Sequence, residues 1–231
     1  MMIFLGILGF VIAYIIFYII TNKIHINFKS FFRKGFKKLD NTFGLYCYVG
    51  KQGKGKTYSA IRFLMDYKKN GYKIITNVKS FNVYDDTIYF DNIIDIINFC
   101  KTHIKDNQVD KYIIFFDEIF TILEKKTAIN KEILSFISQL RKRSIIFITT
   151  AQEWSEINIT FRRYCRYQID CNMFPLPFSK TAVLFNSIND GDGIKWDEQA
   201  QEFLAPRISA NFSKCNRYVI ESYDTYETIN T

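Results

Sequence analysis

The sequence is short of the residues that build metal centres and disulfide frameworks. Its five cysteines, Cys47, Cys100, Cys165, Cys171 and Cys215, never fall in a C-x-x-C spacing, and only two histidines accompany them. That pattern argues against a structural metal site or a bridged scaffold, and free thiols in a reducing compartment are the expectation. No internal repeat or low-complexity linker interrupts residues 42 to about 186, which excludes a repeat array and leaves one continuous domain there. No basic residue precedes the first apolar run and no small-residue cleavage site follows it, which favours an uncleaved anchor over a removed signal peptide. Residues 189–193, Asn-Asp-Gly-Asp-Gly, lack the glutamate that a calcium loop carries at its twelfth position, so they are expected to form a turn.

What the sequence does contain is apolar, aromatic and basic. With 231 residues, 17% of them aromatic, the chain can bury a full core and is not disordered over most of its length. The net charge of +8 suits an acidic partner such as nucleic acid or an anionic membrane face. Residues 3–20 form an uncharged run of 18, about 27 Å long as a helix and close to the hydrocarbon thickness of a bilayer. Lys23, Lys29, Arg33, Lys34, Lys37 and Lys38 follow, interleaved with phenylalanines. The positive-inside rule then puts the body of the protein on the cytoplasmic side of a single-pass span, with the basic segment along the inner leaflet. A buried core helix for the first stretch and a DNA-binding arm for the second are the competing readings. The expected division is an anchor at 1–22, a juxtamembrane segment at 23–41, a catalytic domain at 42–220 and a loosely held polar tail at 221–231.

The pattern G-x-x-x-x-G-K-[ST] is met at every fixed position by Gly50, Lys51, Gln52, Gly53, Lys54, Gly55, Lys56 and Thr57. An apolar run at 45–49 precedes it and helical spacing from Tyr58 to Lys69 follows, which is the strand-loop-helix setting the motif requires. The glycines let backbone N–H groups curl around an anion, and the helix start adds the positive end of its dipole. Lys56 is expected on the β- and γ-phosphates of ATP and Thr57 on Mg²⁺, with Tyr58 also among the nucleotide-binding residues.

From residue 42 onward β-rich runs alternate with helical ones, the signature of an α/β domain with a mostly parallel central sheet flanked by helices. Residues 73–78 read as a second strand and 92–103 as a helix capped by Asp91 or Asn92. The run 112–116 ends in Asp117 and Glu118, a buried strand with two carboxylates at the end where ligands bind. Asp117 is expected to support the metal and Glu118 to activate the attacking water as a general base.

Residues 128–142 read as the next helix, ending in Arg141, Lys142 and Arg143. These cations either complement the helix dipole or reach a neighbouring subunit's nucleotide as an arginine finger. The strand at 144–152 ends in polar residues. If it lies between the glycine-loop strand and the acidic strand, Thr150 or Gln152 can sense the γ-phosphate; capping is the alternative. Further strands are expected at 168–171 and 181–185, and Arg162, Arg163 and Arg166 suit phosphate contacts or a plain solvated edge.

Together the glycine loop, the strand Ile74-Ile75-Thr76-Asn77-Val78, Asp117-Glu118, the helix-terminal Arg141 to Arg143 and the strand ending Thr149-Thr150-Ala151-Gln152 resemble the FtsK–HerA class of P-loop ATPases. Within that class they are similar to the zonula occludens toxin-like ATPases of filamentous and related phages. The resemblance covers roughly residues 44–170. It implies a RecA-like fold, ATP hydrolysis with Mg²⁺, ring-shaped homo-oligomers and action on DNA in genome packaging or virion assembly and export, alongside phage or virus structural proteins. A plasmid-transfer ATPase, or a nucleotide-dependent assembly protein without motor activity, stays open beside it. A small-molecule kinase would need a substrate lid, for which no segment stands out. In the filamentous-phage members the ATPase usually precedes the membrane span, whereas here the apolar run comes first, in a host inner membrane or a virion.

Overall fold

The computed structural model describes residues 2–26, 43–81, 83–104, 111–119, 130–175, 182–191, 195–197, 202–204 and 206–224. Its elements are α1 (Met2–Thr21), β1 (Ile24–Ile26), β2 (Gly44–Val49), α2 (Lys56–Lys68), β3 (Lys73–Thr76), β4 (Ile88–Tyr89), α3 (Ile93–His103) and β5 (Tyr112–Phe116). They continue with α4 (Lys131–Gln139), β6 (Ile145–Ala151), a 3-10 turn (Trp154–Glu156), α5 (Ile159–Tyr164), β7 (Cys165–Pro175), β8 (Ala182–Asp190), β9 (Lys195–Asp197), β10 (Glu202–Leu204), β11 (Arg207–Lys214) and α6 (Arg217–Ile220).

Nine strands form one sheet in the order β1-β11-β8-β7-β2-β6-β5-β3-β4, and β9 pairs with β10 separately. From β7 across to β4 every neighbouring pair is parallel. Beyond β7 the sheet turns antiparallel through β8 and β11, after which β1 adds to β11 in parallel. The mostly parallel α/β sheet expected from the sequence is present, and β6 lies between the glycine-loop strand β2 and the acidic strand β5.

Every residue of β2, β5 and β6 is buried. Their sequences are apolar runs, with no alternation, because helices cover both faces. Leu45, Cys47, Ile114, Phe116 and Phe147 pack towards the side of α3, α4 and α5. Tyr46, Tyr48, Ile113, Phe115 and Ile148 pack towards α2. Asn92 caps α3, its side chain accepting from Ile94 N–H, which settles the choice between Asp91 and Asn92. The helix expected over 128–142 is shorter, Lys131–Gln139 with Asn130 as its cap, and residues 128 and 129 lie outside the described residues. Ser144 at φ 54 ends the turn that follows, where Ile145 N–H returns to Leu140 C=O at 3.0 Å.

The chain beyond residue 165 departs further from the expectations. Where two short strands are predicted, β7 and β8 are long partners in register from Tyr167↔Asp190 to Pro175↔Ala182. Asp170, Asn172, Ser187 and Asp190 interrupt the apolar runs at positions that are only half-buried. Residues 24–26, inside the expected juxtamembrane segment, are a strand of the main sheet. Residues 27–42 and 225–231 lie outside the described residues.

The backbone of α1 is helical over 20 residues with no charge in its first or last turn. Among the described residues no helix is long and apolar enough to cross a membrane. The side chains of Met2, Ile3 and Leu5 lie outside the described residues.

Candidate nucleotide and catalytic site

The glycine loop leaves β2 at the carboxyl edge of the sheet and is clamped there from two sides. Gly50 N–H donates to Ala151 C=O at 3.2 Å, and a Cβ on Gly50 would lie 2.8 Å from the Cys171 carbonyl oxygen. Gly55 stands at the start of α2 with φ +80, where a Cβ would come within 2.7 Å of Met173 Cε. Lys56 turns back over the loop and donates to Lys51 C=O at 3.3 Å. Gln52, Gly53, Gly55, Lys56, Thr57 and Tyr58 line a cleft of ≈ 460 Å³. The Lys54 ammonium stands 6.0 Å over the Phe174 ring, and Lys51 is exposed.

Asp117 closes this loop onto the sheet. Thr57 Oγ1 donates to its Oδ2 at 3.0 Å across a sequence separation of 60 residues, and Thr150 Oγ1 donates to its Oδ1. The Asp117 backbone is held equally closely: its N–H donates to Asn77 Oδ1 at 2.8 Å and its carbonyl accepts from Asn77 Nδ2 at 3.3 Å. Burial pushes the Asp117 carboxyl above its usual range, and the hydroxyls of Thr150 and Thr57 oppose that shift. One carboxylate flanked by two hydroxyls is a set of hard oxygen donors, which fits Mg²⁺ shared with nucleotide phosphates. Among the described residues no group of three His, Cys, Asp or Glu could hold an ion without such a share.

Glu118 sits next to Asp117 in the left-handed region, φ 56. A non-glycine residue there is strained by roughly 1–3 kcal/mol, and such strain concentrates at functional positions. Its N–H donates to Thr150 Oγ1 at 2.9 Å, so one threonine hydroxyl holds both carboxylate residues at the tip of β6. Both Glu118 and Thr150 line the cleft.

The other predicted residues lie elsewhere. Gln152 is exposed one residue beyond β6, and it is Thr150 that reaches the Asp117 carboxylate and the Glu118 backbone N–H. Arg141 and Arg143 precede β6 and therefore stand at the opposite edge of the sheet, about 20 Å away by strand length. Neither can serve its own subunit's nucleotide from there. Arg143 donates to the carbonyls of Cys100 at 3.1 Å and Ile104 at 3.5 Å, capping the carboxyl end of α3. Arg141 is exposed, its Nε 4.0 Å from where a Gly44 Cβ would stand.

One wall of the cleft was not foreseen from the sequence. Ile220, Tyr223 and Asp224 line it opposite the glycine loop, although residues 221–231 read as a loose tail. Arg62 of α2 donates to Ser213 Oγ at 3.4 Å and Lys214 C=O at 3.3 Å, Asn216 N–H donates to Tyr58 OH at 2.7 Å, and Asp224 N–H donates to Ser80 Oγ at 2.9 Å. Burial raises the Tyr223 phenol, with the charge of Asp117 adding to the shift. The Asn216 cap on α6 was the one local signal in the sequence, because its side chain accepts from Tyr218 N–H.

Residues 46–173 match the ATPase family associated with various cellular activities (AAA). The chain belongs to the AAA family of ATPases. Comparison with curated protein sequences finds no match. Among solved structures, the AAA chain is similar to the genome packaging NTPase B204 of Sulfolobus turreted icosahedral virus 2 in complex with ATP-gammaS. The TM-score is 0.50 at 11% identity, over 74% of this chain and 100% of that one. It is also similar to the N-terminal domain of zonular occludens toxin from Neisseria meningitidis, at TM-score 0.49 and 16% identity, over 79% of this chain and 100% of the other. The fold is thus that of P-loop NTPases, and the AAA domain binds and hydrolyses ATP.

Proposed function

We propose that this AAA ATPase is a phage- or virus-type motor, anchored in a membrane by α1, that assembles as a homo-oligomeric ring and uses ATP hydrolysis to move DNA in genome packaging or virion export. The observation that carries the catalytic part is the joining of Thr57, Asp117, Thr150 and Glu118 by hydrogen bonds at one edge of the sheet. In this reading the backbone N–H groups of the glycine loop and Lys56 hold the phosphates. Thr57 and Asp117 would hold Mg²⁺, which when bound neutralises charge on the β- and γ-phosphate oxygens. Glu118 orients the attacking water and takes its proton, while Thr150 holds the Asp117 carboxylate and the Glu118 backbone and registers the γ-phosphate through them.

The DNA role is supported by the net charge of +8 and by the fold shared with a viral packaging NTPase. The anchor is supported by α1 itself: 20 helical residues extend about 30 Å, and Phe4, Phe10 and Ile20 are 71%, 75% and 69% exposed on different sides of it. Large apolar side chains exposed all round a helix call for lipid or a partner to cover them. The ATPase domain would then lie on the cytoplasmic side, at a host inner membrane or in a virion.

The test is ATP turnover of the full chain with and without single- and double-stranded DNA, for wild type and Glu118→Gln. Glu118→Gln is expected to keep nucleotide affinity while turnover falls about 10²- to 10³-fold. Hydrolysis at the wild-type rate removes Glu118 as base, and turnover indifferent to DNA favours an assembly protein over a motor.

A further inference from the structure

Strand direction sorts the charged residues of this protein. β2, β6, β5 and β7 are parallel, β8 runs against β7, β11 runs against β8, and β1 is parallel to β11. Hence β1, β2, β5, β6, β7 and β11 all begin at one edge of the sheet, and the glycine loop, Asp117 and Thr150 all sit at the other. Cations stand at those beginnings. Lys23 precedes β1, Lys111 precedes β5, Lys142 precedes β6, Arg163 precedes β7, and Arg207 opens β11. All five are exposed. At the same edge the described acids are Asp66, Asp85, Asp86 and Asp190; Asp66 pairs with Lys69 and Asp86 with Lys68. Among the described residues the five named cations outnumber these four acids.

The chain also enters the domain at this edge. α1 ends at Thr21, and the Lys23 carbonyl already accepts from Ala210 N–H at 3.2 Å as β1 joins the sheet. We propose that the edge where the parallel strands begin is a docking face for anionic lipid headgroups, so that the nucleotide cleft opens away from the bilayer. The proposal rests on the reading of α1 as an anchor, which brings this edge to the surface where each nearby cation gains attraction from anionic lipid. Nucleic acid is the other polyanion that could use these cations. Continuity with α1 favours lipid.

The experiment places a fluorescent donor on one introduced thiol of the full chain, since the five native cysteines are buried. Ser138→Cys, in the last turn of α4, reports the cationic edge, and Glu153→Cys, beyond β6, reports the nucleotide edge. Energy transfer to headgroup-labelled lipid is measured in phosphatidylcholine vesicles with and without about 30% phosphatidylglycerol. Transfer from Ser138→Cys is expected to rise at least twofold with anionic lipid and to collapse in about 0.5 M NaCl, as screening requires. Transfer from Glu153→Cys stays low. The combined variant Lys23→Glu, Lys111→Glu, Arg207→Glu should abolish the rise while basal ATP turnover is kept. Equal response from both labels, or an unchanged rise in the charge-reversed protein, overturns the proposal. So does a charge-reversed protein that keeps its lipid proximity but loses DNA-stimulated turnover, which would assign the edge to nucleic acid. Failure of the anchor shows separately, as full-length protein that does not float with pure phosphatidylcholine. In that event, flotation with the anionic vesicles by wild type but not the charge-reversed protein upholds the face, and flotation by neither removes it.

Discussion

The two edges of the sheet are built by opposite means. At the edge of the glycine loop, polar groups are buried and held by one another: Thr57, Asn77, Asp117 and Thr150 are joined by hydrogen bonds, and Glu118 adopts a strained φ beside them. At the other edge, cations stand exposed around the beginnings of the strands, and Arg143 is held there by its bonds to the last carbonyls of α3. A preorganised, largely dry site can stabilise charge that develops in a reaction. An exposed array of cations attracts an extended anionic surface without fixing any single partner. One sheet presents two such different edges because parallel strands send all their ends of one kind to the same side.

Each edge has a glycine that cannot carry a side chain, and the contrast between them is the largest available test. A Cβ on Gly191 would lie 1.8 Å from the Cys165 carbonyl oxygen, which is backbone and cannot swing aside. Gly191→Ala is expected to cost about 3 kcal/mol or more, lowering Tm by roughly 10 °C, while KM for ATP in the folded protein is unchanged. A rise in KM alongside the loss of stability would show that the edges are coupled and break the division.

Tyr223→Ala removes the far wall of the cleft and should raise KM for ATP about tenfold with a smaller change in kcat, as loss of uniform binding does. Steady-state kinetics check this, and an unaltered KM would return residues 221–224 to the status of a passive tail.

Arg143→Ala leaves the last carbonyls of α3 without their donor and should cost about 1 kcal/mol, seen as a Tm lower by roughly 2–4 °C. Turnover per folded molecule should be unaffected, because Arg143 stands at the edge of the sheet opposite the nucleotide cleft. A loss of turnover assigns Arg143 the role of arginine finger.

The smallest effect concerns Asp86, whose carboxyl is held below its usual range chiefly by the hydrogen bond from Lys68. A depressed folded pKa means stability that is present above the unfolded pKa and lost as pH falls through the folded one. The pair is largely exposed on the Asp86 side, so about half a kcal/mol is its ceiling. The melting difference between wild type and Asp86→Asn should be about one degree near neutrality and vanish as pH falls below about 4.

Much of the catalytic edge was legible in residue order, because its chemistry is local. The glycine loop needs neighbours in sequence, and Asp117-Glu118 ends an apolar run that only a doubly covered strand explains. Thr150 against Gln152 was not separable in that way, since the choice depends on where β6 stops: Ala151 ends the strand, and Thr150 is the residue still aimed at Asp117. Arg143 read as a finger or a dipole partner because its target, the end of α3, is brought to it only by folding. Tyr223 carried no signal at all, because its place in the cleft depends on β11 and on the contacts of Arg62, Asn216 and Asp224.

By itself, then, the sequence determined a nucleotide-binding strand-loop-helix, an acidic strand behind it and an apolar helix ahead of it, since each is written in spacings shorter than an element. Only the tertiary structure decided that β6 stands between the two strands, that the carboxyl-terminal residues wall the cleft, and that cations scattered from Lys23 to Arg207 share one edge. Those features follow from strand order and direction, which long-range pairing sets and local pattern leaves open.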